Sequence, residues 1–466
     1  MPKAKSITPS IPTFKFDSEF REAIGKERIG NGLTYIILDD DPTGGQTVYD
    51  IPVITTWGVD EICAELEKGT SVFFILTNSR SMPAAKAGTL LKLIGENIRK
   101  ASDRTKRQIN VISRGDSTLR GHYPLEMTAF DDGFGESKDL NILIPAFFEG
   151  GRYTIDDVHY LTDNSRLVPV GETSFAQDKA FGYRSSNLID WVEEKYEGGI
   201  AKSNIKSISL TELNSGDSHS LIDRLKQFDS SDVIAVNASN YKELDFFTIC
   251  LLRSKKSFSV RCSASFVSSL YGKKPISNLV RKDLISSDGK GGLLVIGSYV
   301  PKTTSQLDYL LDNADVSVIE LEVNRILSSE SDSYRVEVQE KLKLLLQEDR
   351  DVVVYTSRIL QSGADAESSL NIGSSVSAFV VSLVSSLEVK PRFVLAKGGI
   401  TSSDIATKSL RIKRALIQGQ VLSGVPVWKT GQESKFPNIS YIIFPGNVGS
   451  ESALWDVYQK LKSTAL

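Results

Sequence analysis

The sequence predicts an α/β protein of two domains, each a mainly parallel sheet flanked by helices. Three observations lead there. Short apolar runs alternate with longer amphipathic stretches, which is the form βαβ units take in sequence. The alternation weakens over Tyr271–Gly292, a stretch rich in Lys, Ser and Gly, and then resumes. The chain's 466 residues also exceed one comfortable hydrophobic core. The resulting division is an N-terminal extension at 1–33, a first domain at 34–270, a linker at 271–292 and a second domain at 293–466.

In the first half the apolar runs Leu33–Leu38, Ser71–Thr77, Ile109–Ser113, Asn141–Pro145 and Val233–Asn237 read as strands. Pro83–Ala101, with proline at its first turn, and Ser185–Glu197 read as helices. In the second half the strands are Leu293–Ile296, Val316–Glu320, Val352–Thr356, Phe393–Ala396 and Tyr441–Phe444. Lys302–Asn313, Tyr334–Gln347, Ser374–Leu387 and Ser402–Leu410 fill the spaces between them as helices.

Composition excludes several classes. A net charge of −3 argues against a general nucleic-acid binder, though not against a local basic pocket. Cys63, Cys250 and Cys262 form no CxxC pair, and three histidines in the chain make a His-rich metal site improbable. The start is polar and lacks the apolar stretch of a signal peptide, and no run of about 18 apolar residues occurs. The sequence therefore reads as cytoplasmic, with no membrane partner; a homodimer is left open.

The most informative segment is Tyr35-Ile-Ile-Leu-Asp39-Asp40-Asp41-Pro42-Thr43-Gly44-Gly45. Three carboxylates emerge at the carboxyl end of a strand, where open α/β sheets place their ligands. Clustered aspartates repel one another unless arginines, hydroxyls or a cation compensate. Asp39-x-Asp41-x-Thr43 matches the first motif of haloacid-dehalogenase-like phosphatases, with Asp39 as nucleophile and Thr77 as a candidate second motif. That match stops there, because no convincing Lys motif or later paired-acid strand follows.

A second reading uses more of the chain. Asp40-Asp41-Pro42-Thr43-Gly44 resembles the Asp-Asp-x-Thr-Gly opening of the four-carbon acid sugar kinases, and five further segments support the resemblance in order. These are Thr77-Asn-Ser-Arg80, Arg114-Gly115-Asp116-Ser117-Thr118-Leu119-Arg120-Gly121, and Pro145-Ala146 with Gly151-Arg152-Tyr-Thr154. In the second half come Gly297-Ser298 with Lys397-Gly398-Gly399-Ile400-Thr401-Ser402, and finally Pro445-Gly446-Asn447-Val448-Gly449. Together they span about Thr34 to Leu454. Arg114 stands where the family often has Lys, which keeps the charge and adds bidentate reach. Ile400 replaces an acid often found after the paired glycines.

The resemblance implies an ATP- and Mg²⁺-dependent kinase of a small sugar acid, its active site in the cleft between the domains. Asp40 and Asp41 are the candidate catalytic bases, and with Arg80, Arg114, Gly115, Asp116 and Ser117 they form the candidate substrate site. Ser298, Gly398, Gly399, Thr401, Ser402, Gly446, Asn447, Val448 and Gly449 are the candidate nucleotide loops. The chemistry is coherent without the family. Arginines suit a carboxylate, aspartates accept from hydroxyls, and one aspartate can take the proton from an attacking oxygen. No GxxxxGK[ST] sequence occurs, so glycine loops rather than a P-loop would cradle phosphate. A sugar-acid-binding protein without turnover is the remaining alternative. Threonate-, erythronate- or 3-oxo-tetronate-like acids fit the pocket size.

Overall fold

The computed structural model describes residues 19–163, 166–358 and 366–462, with backbone only over 366–371. The chain separates into two compact units, 1–48 with 56–275 and 49–55 with 276–466.

Seven parallel strands build the sheet of the first unit, in the order Val72–Leu76, Thr34–Asp39, Ile109–Arg114, Phe258–Cys262, Leu140–Ile144, Val233–Val236, Ile205–Ile208. All six residues of Thr34–Asp39 are buried, as expected where helices cover both faces of a parallel sheet. The chain leaves Thr34–Asp39 for its neighbour Val72–Leu76, then crosses back to pair Ile109–Arg114 on the other side. That reversal makes a switch point, and the carboxyl ends of adjacent strands open a crevice there.

Two features of this unit were not foreseen. Helix Arg21–Gly30, in the segment read as an extension, belongs to the unit: buried Arg21 bonds Asp245 at 2.6 Å and the Ser268 carbonyl at 2.7 Å. A small antiparallel sheet, Arg152–Ile155, Val158–Asp163 and Arg166–Pro169, also interrupts the βαβ pattern.

The second unit has five parallel strands in the order Ser317–Leu321, Val352–Thr356, Gly292–Ile296, Phe393–Lys397, Ser440–Phe444. Three antiparallel strands continue it: Val425–Thr430, Arg414–Leu422 and Ile51–Ile54. The last comes from far upstream, so the stretch read as wholly part of the first domain lends one strand to the second. Leu294, Ile296, Phe393, Leu395, Ile442, Phe444 and Leu454 form its core. Where Ser402–Leu410 was expected as one helix, Gly399–Asp404 runs into a wider turn at Ile405–Ser409. Among the described residues no helix is long and apolar enough to cross a membrane.

Candidate functional site

In the first unit, three strand ends deliver charge to one place. Strand Thr34–Asp39 ends in the three aspartates, and Arg114 closes the neighbouring strand. Arg80 sits in a short turn, Ser79–Ser81, that Asn78 enters in the left-handed conformation, φ 53°. Its backbone N–H donates to the Asp40 carbonyl at 3.4 Å, fixing that turn against the acidic segment. Arg80 Nη2 donates to Asp41, and Nη1 lies 3.3 Å from Asp116 Oδ1 and 3.8 Å from Asp40 Oδ1. Arg114 Nη1 bonds Asp39 Oδ1 at 3.1 Å and lies 3.7 Å from Asp40 Oδ1.

The aspartates differ sharply in state. Burial pushes Asp39 up to about 7 against the pull of Arg114. Burial works on Asp41 too, but Arg80, Arg114 and the Thr43 N–H at 2.8 Å outweigh it and hold Asp41 below the usual carboxylate value. Asp116, gripped by Arg120 at 2.9 Å, by Thr118 and by Arg80, lies far below despite burial. Asp40 differs in its bonding. It is 3% exposed, neither carboxylate oxygen has a hydrogen-bond partner, and burial raises it to about 6 although Arg80, Arg261 and Arg114 surround it.

Two glycines explain part of the motif spelling. A Cβ on Gly44 would fall 1.8 Å from Asp39 Oδ2, so the Thr-Gly turn closes directly over that carboxylate. A Cβ on Gly115 would fall 1.4 Å from Arg261 Nη1. Gly115 was expected to contact substrate; here its missing side chain is the space that Arg261 occupies. Ser117 is buried, and its carbonyl accepts from His159 Nε2 at 2.8 Å. His159 in turn contacts Thr154 at 2.9 Å, and burial holds it down at about 4. It is therefore a neutral strut between the small antiparallel sheet and the Ser117 loop.

In the second unit, Ser298, Gly398–Ser402 and Gly446–Gly449 follow three adjacent strands and crowd together. A Cβ on Gly297 would fall 2.2 Å from Thr401 Oγ1, one on Gly398 3.0 Å from Ser298 Cβ, and one on Gly446 3.1 Å from Ser298 Oγ. Gly398 also has φ 113°, a conformation side chains resist. Gln306 Nε2 ties the last loop by donating to the carbonyls of Val448 at 3.0 Å and Ser450 at 2.6 Å. Asn447 and Gly449 are exposed, whereas the Ser402 hydroxyl is committed to the Ala396 carbonyl at 2.9 Å. Below the loops lies Lys397, fully buried, donating to the Pro445 carbonyl at 3.1 Å. Burial, with Lys302 nearby, lowers it to about 7.

Residues 35–270 match the family of sugar-binding N-terminal domains, and residues 293–454 match that of nucleotide-binding C-terminal domains. The chain belongs to the four-carbon acid sugar kinase family. A D-threonate kinase of Salmonella typhimurium is 23% identical over 400 residues, covering 83% of this chain and 87% of the relative. Two solved structures share the fold. One is a Salmonella typhimurium LT2 protein provisionally assigned as a tRNA synthase, with TM-score 0.68 and 18% identity. The other is Haemophilus influenzae protein HI1011, with TM-score 0.62 and 16% identity. Each covers 92% of this chain and 100% of its own.

The family's sugar-binding half thus contains the arginine–aspartate cluster, and its nucleotide-binding half contains the glycine loops. Sequence reasoning missed two members of the cluster. Arg261, on strand Phe258–Cys262, lies 3.9 Å from Asp40 Oδ2. Glu126, on helix Leu125–Phe134, lies 3.7 Å from Arg261 Nη1. Arg120, from the Arg114–Gly121 motif, bridges Asp116 and Asp178. Among the described residues no group of three or more His, Cys, Asp or Glu side chains is arranged to hold a metal ion.

Proposed function

We propose that this protein is an ATP-dependent kinase that phosphorylates a hydroxyl of a small sugar acid, of the size of threonate, erythronate or a 3-oxo-tetronate. The observation that carries this reading is Asp40: a buried carboxylate with two unbonded oxygens, raised to about 6, among Arg80, Arg114 and Arg261. A base poised near neutrality can accept the substrate proton, and arginines around it suit an anionic substrate. Asp41 and Asp116 are already satisfied by arginines and hold Arg80 in place. Asp40 is therefore favoured over Asp41 as the base.

The glycine loops of the second unit would hold the nucleotide phosphates on backbone N–H groups, with Ser298 and Thr401 beside them. Bound ATP with Mg²⁺ supplies the phosphoryl group. Among the described residues no carboxylate cage for a metal appears, so the ion would be held largely by phosphate oxygens and water. Asp39, the nucleophile of a phosphatase mechanism, is 2% exposed, bonded to Arg114 and closed over by Gly44, which speaks against a phosphoenzyme.

A coupled ADP assay with ATP, Mg²⁺ and a panel of tetronates and tetritols tests the proposal. Acid-dependent ADP formation is expected, with kcat/KM for acids exceeding that for neutral polyols by about a hundredfold, because polyols lack the carboxylate charge that Arg80, Arg114 and Arg261 attract. ATP-independent phosphate release would favour the phosphatase, and binding without turnover would favour a non-catalytic sugar-acid protein.

A further inference from the structure

Asp40 has a second carboxylate behind it. Glu126 is 4% exposed, and only one of its oxygens is bonded, to the Ser79 hydroxyl. Its other oxygen faces Arg261 Nη1 at 3.7 Å, and that nitrogen too has no hydrogen-bond partner. Arg261 Nη2 donates to the Arg120 carbonyl at 3.0 Å and lies 3.9 Å from Asp40 Oδ2. One guanidinium thus stands between two buried carboxylates.

Asp40 and Glu126, though not Arg261, also border a cavity of about 20 Å³, room for one water molecule. Ser79, Arg114, Asp131 and Lys138 line the same cavity. Asp131 is half-buried and raised to about 6 by that burial, while Lys138 pairs with Glu136 at 3.4 Å. A buried base that takes a proton at every turnover must also release it, and around Asp40 the arginines cannot accept one. The carboxylates can.

We infer that Glu126 is the proton acceptor behind Asp40, passing the substrate proton through this cavity toward Asp131 and away from the reaction centre. This rests on the reading of Asp40 as the base. In the step, the substrate oxygen forms its bond to phosphorus as the bond to the departing ADP breaks, and the hydroxyl proton moves to Asp40. It then moves from Asp40 to Glu126, which returns it to solvent by way of Asp131, restoring both carboxylates. Charged groups around Glu126 are Arg261, 3.7 Å away, and Asp40, Arg114, Asp131 and Lys138, which line the cavity with it. Glu126 also raises Asp40 by like-charge repulsion.

Glu126→Gln keeps the shape and removes the charge and the proton acceptor. Carboxyl ¹³C NMR titration of the substrate-free protein, with Asp40→Asn assigning the signal, reads Asp40 without any need for turnover. The midpoint is expected to fall by about one pH unit in Glu126→Gln. With the sugar acid that the ADP screen identifies, kcat should drop about tenfold or more with little change in either KM, and the acid limb of kcat/KM should move to lower pH. Glu126→Asp, which keeps the charge, should restore much of both. An unmoved Asp40 midpoint in well-folded Glu126→Gln, or equal kcat, would overturn the relay. A moved midpoint in a protein without acid-dependent ADP formation would instead overturn the kinase reading while leaving the carboxylate coupling intact.

Discussion

The two units place their candidate ligand residues at the same position, the carboxyl ends of parallel strands, but build them from opposite materials. In the first, side chains do the work: Arg80, Arg114, Arg120 and Arg261 interleave with Asp39, Asp40, Asp41 and Asp116. In the second, side chains are withheld. Gly297, Gly398 and Gly446 let three loops approach to distances that a Cβ would forbid, and among the described residues the one buried cation, Lys397, has no acid partner. A small anion with several hydroxyls needs directional partners in a low-dielectric crevice, and those must be preorganised to be worth their desolvation. A polyphosphate carries its own charge and metal and can be cradled by backbone dipoles.

Variants can break or sharpen this contrast. The largest effect is expected from Asp40→Asn, which should lower kcat by about a hundredfold or more while Asp41→Asn loses less, because Asp41 serves through Arg80. Steady-state rates with the identified acid decide between them. In the wild type, kcat/KM should fall as pH drops through about 6, where Asp40 takes up its proton.

Gly398→Val should come next, weakening ADP binding by about tenfold or more while leaving acid binding unchanged, since a branched side chain at φ 113° strains the loop and meets Ser298. Arg80→Ala should do the reverse, raising KM for the acid with ATP affinity nearly untouched. Calorimetric titration of each ligand against each variant reads both, and a swapped pattern would mean the units' roles are reversed.

The smallest effects concern stability, and they have opposite signs in the two units. Asp40's folded value is raised, so its ionised form costs stability, and that cost grows as pH rises from about 4 to about 6. Lys397's folded value is lowered to about 7, so its cost is full below 7 and is relieved as pH rises toward 10. At pH 6, Lys397→Met should therefore raise Tm by about 2–4 °C. At pH 10 the gain should vanish, and scanning calorimetry at both values tests it.

What was legible in the sequence were residues sitting where an apolar run stops. Asp40, Arg80, Arg114 and Asp116 each follow a strand that announces itself, so their convergence needs only the rule that parallel strands share one carboxyl edge. Arg261 did not show, because it lies inside its strand, and its approach to Asp40 depends on Phe258–Cys262 inserting between strands from far earlier in the chain. A charge within a buried run is costly unless paired, which was the available signal. Glu126 looked like any acid in a helix's first turn. The antiparallel strands were missed although Arg414–Leu422 alternates inside and outside along its length, because the βαβ rhythm had already accounted for the region.

The strand Ile51–Ile54 has a consequence for how the chain is made. During synthesis it emerges early, yet the strand it pairs with, Arg414–Leu422, is translated more than three hundred residues later. Until then it has no place in its sheet. The second sheet cannot be finished by the second half of the chain alone, and a fragment cut within 271–292 would present Arg414–Leu422 as a bare edge, inviting another chain to pair with it. Closing so long a loop is slow relative to local folding. The nascent protein therefore carries an unsatisfied strand through most of its translation, shortly after the acidic segment Asp39–Asp41.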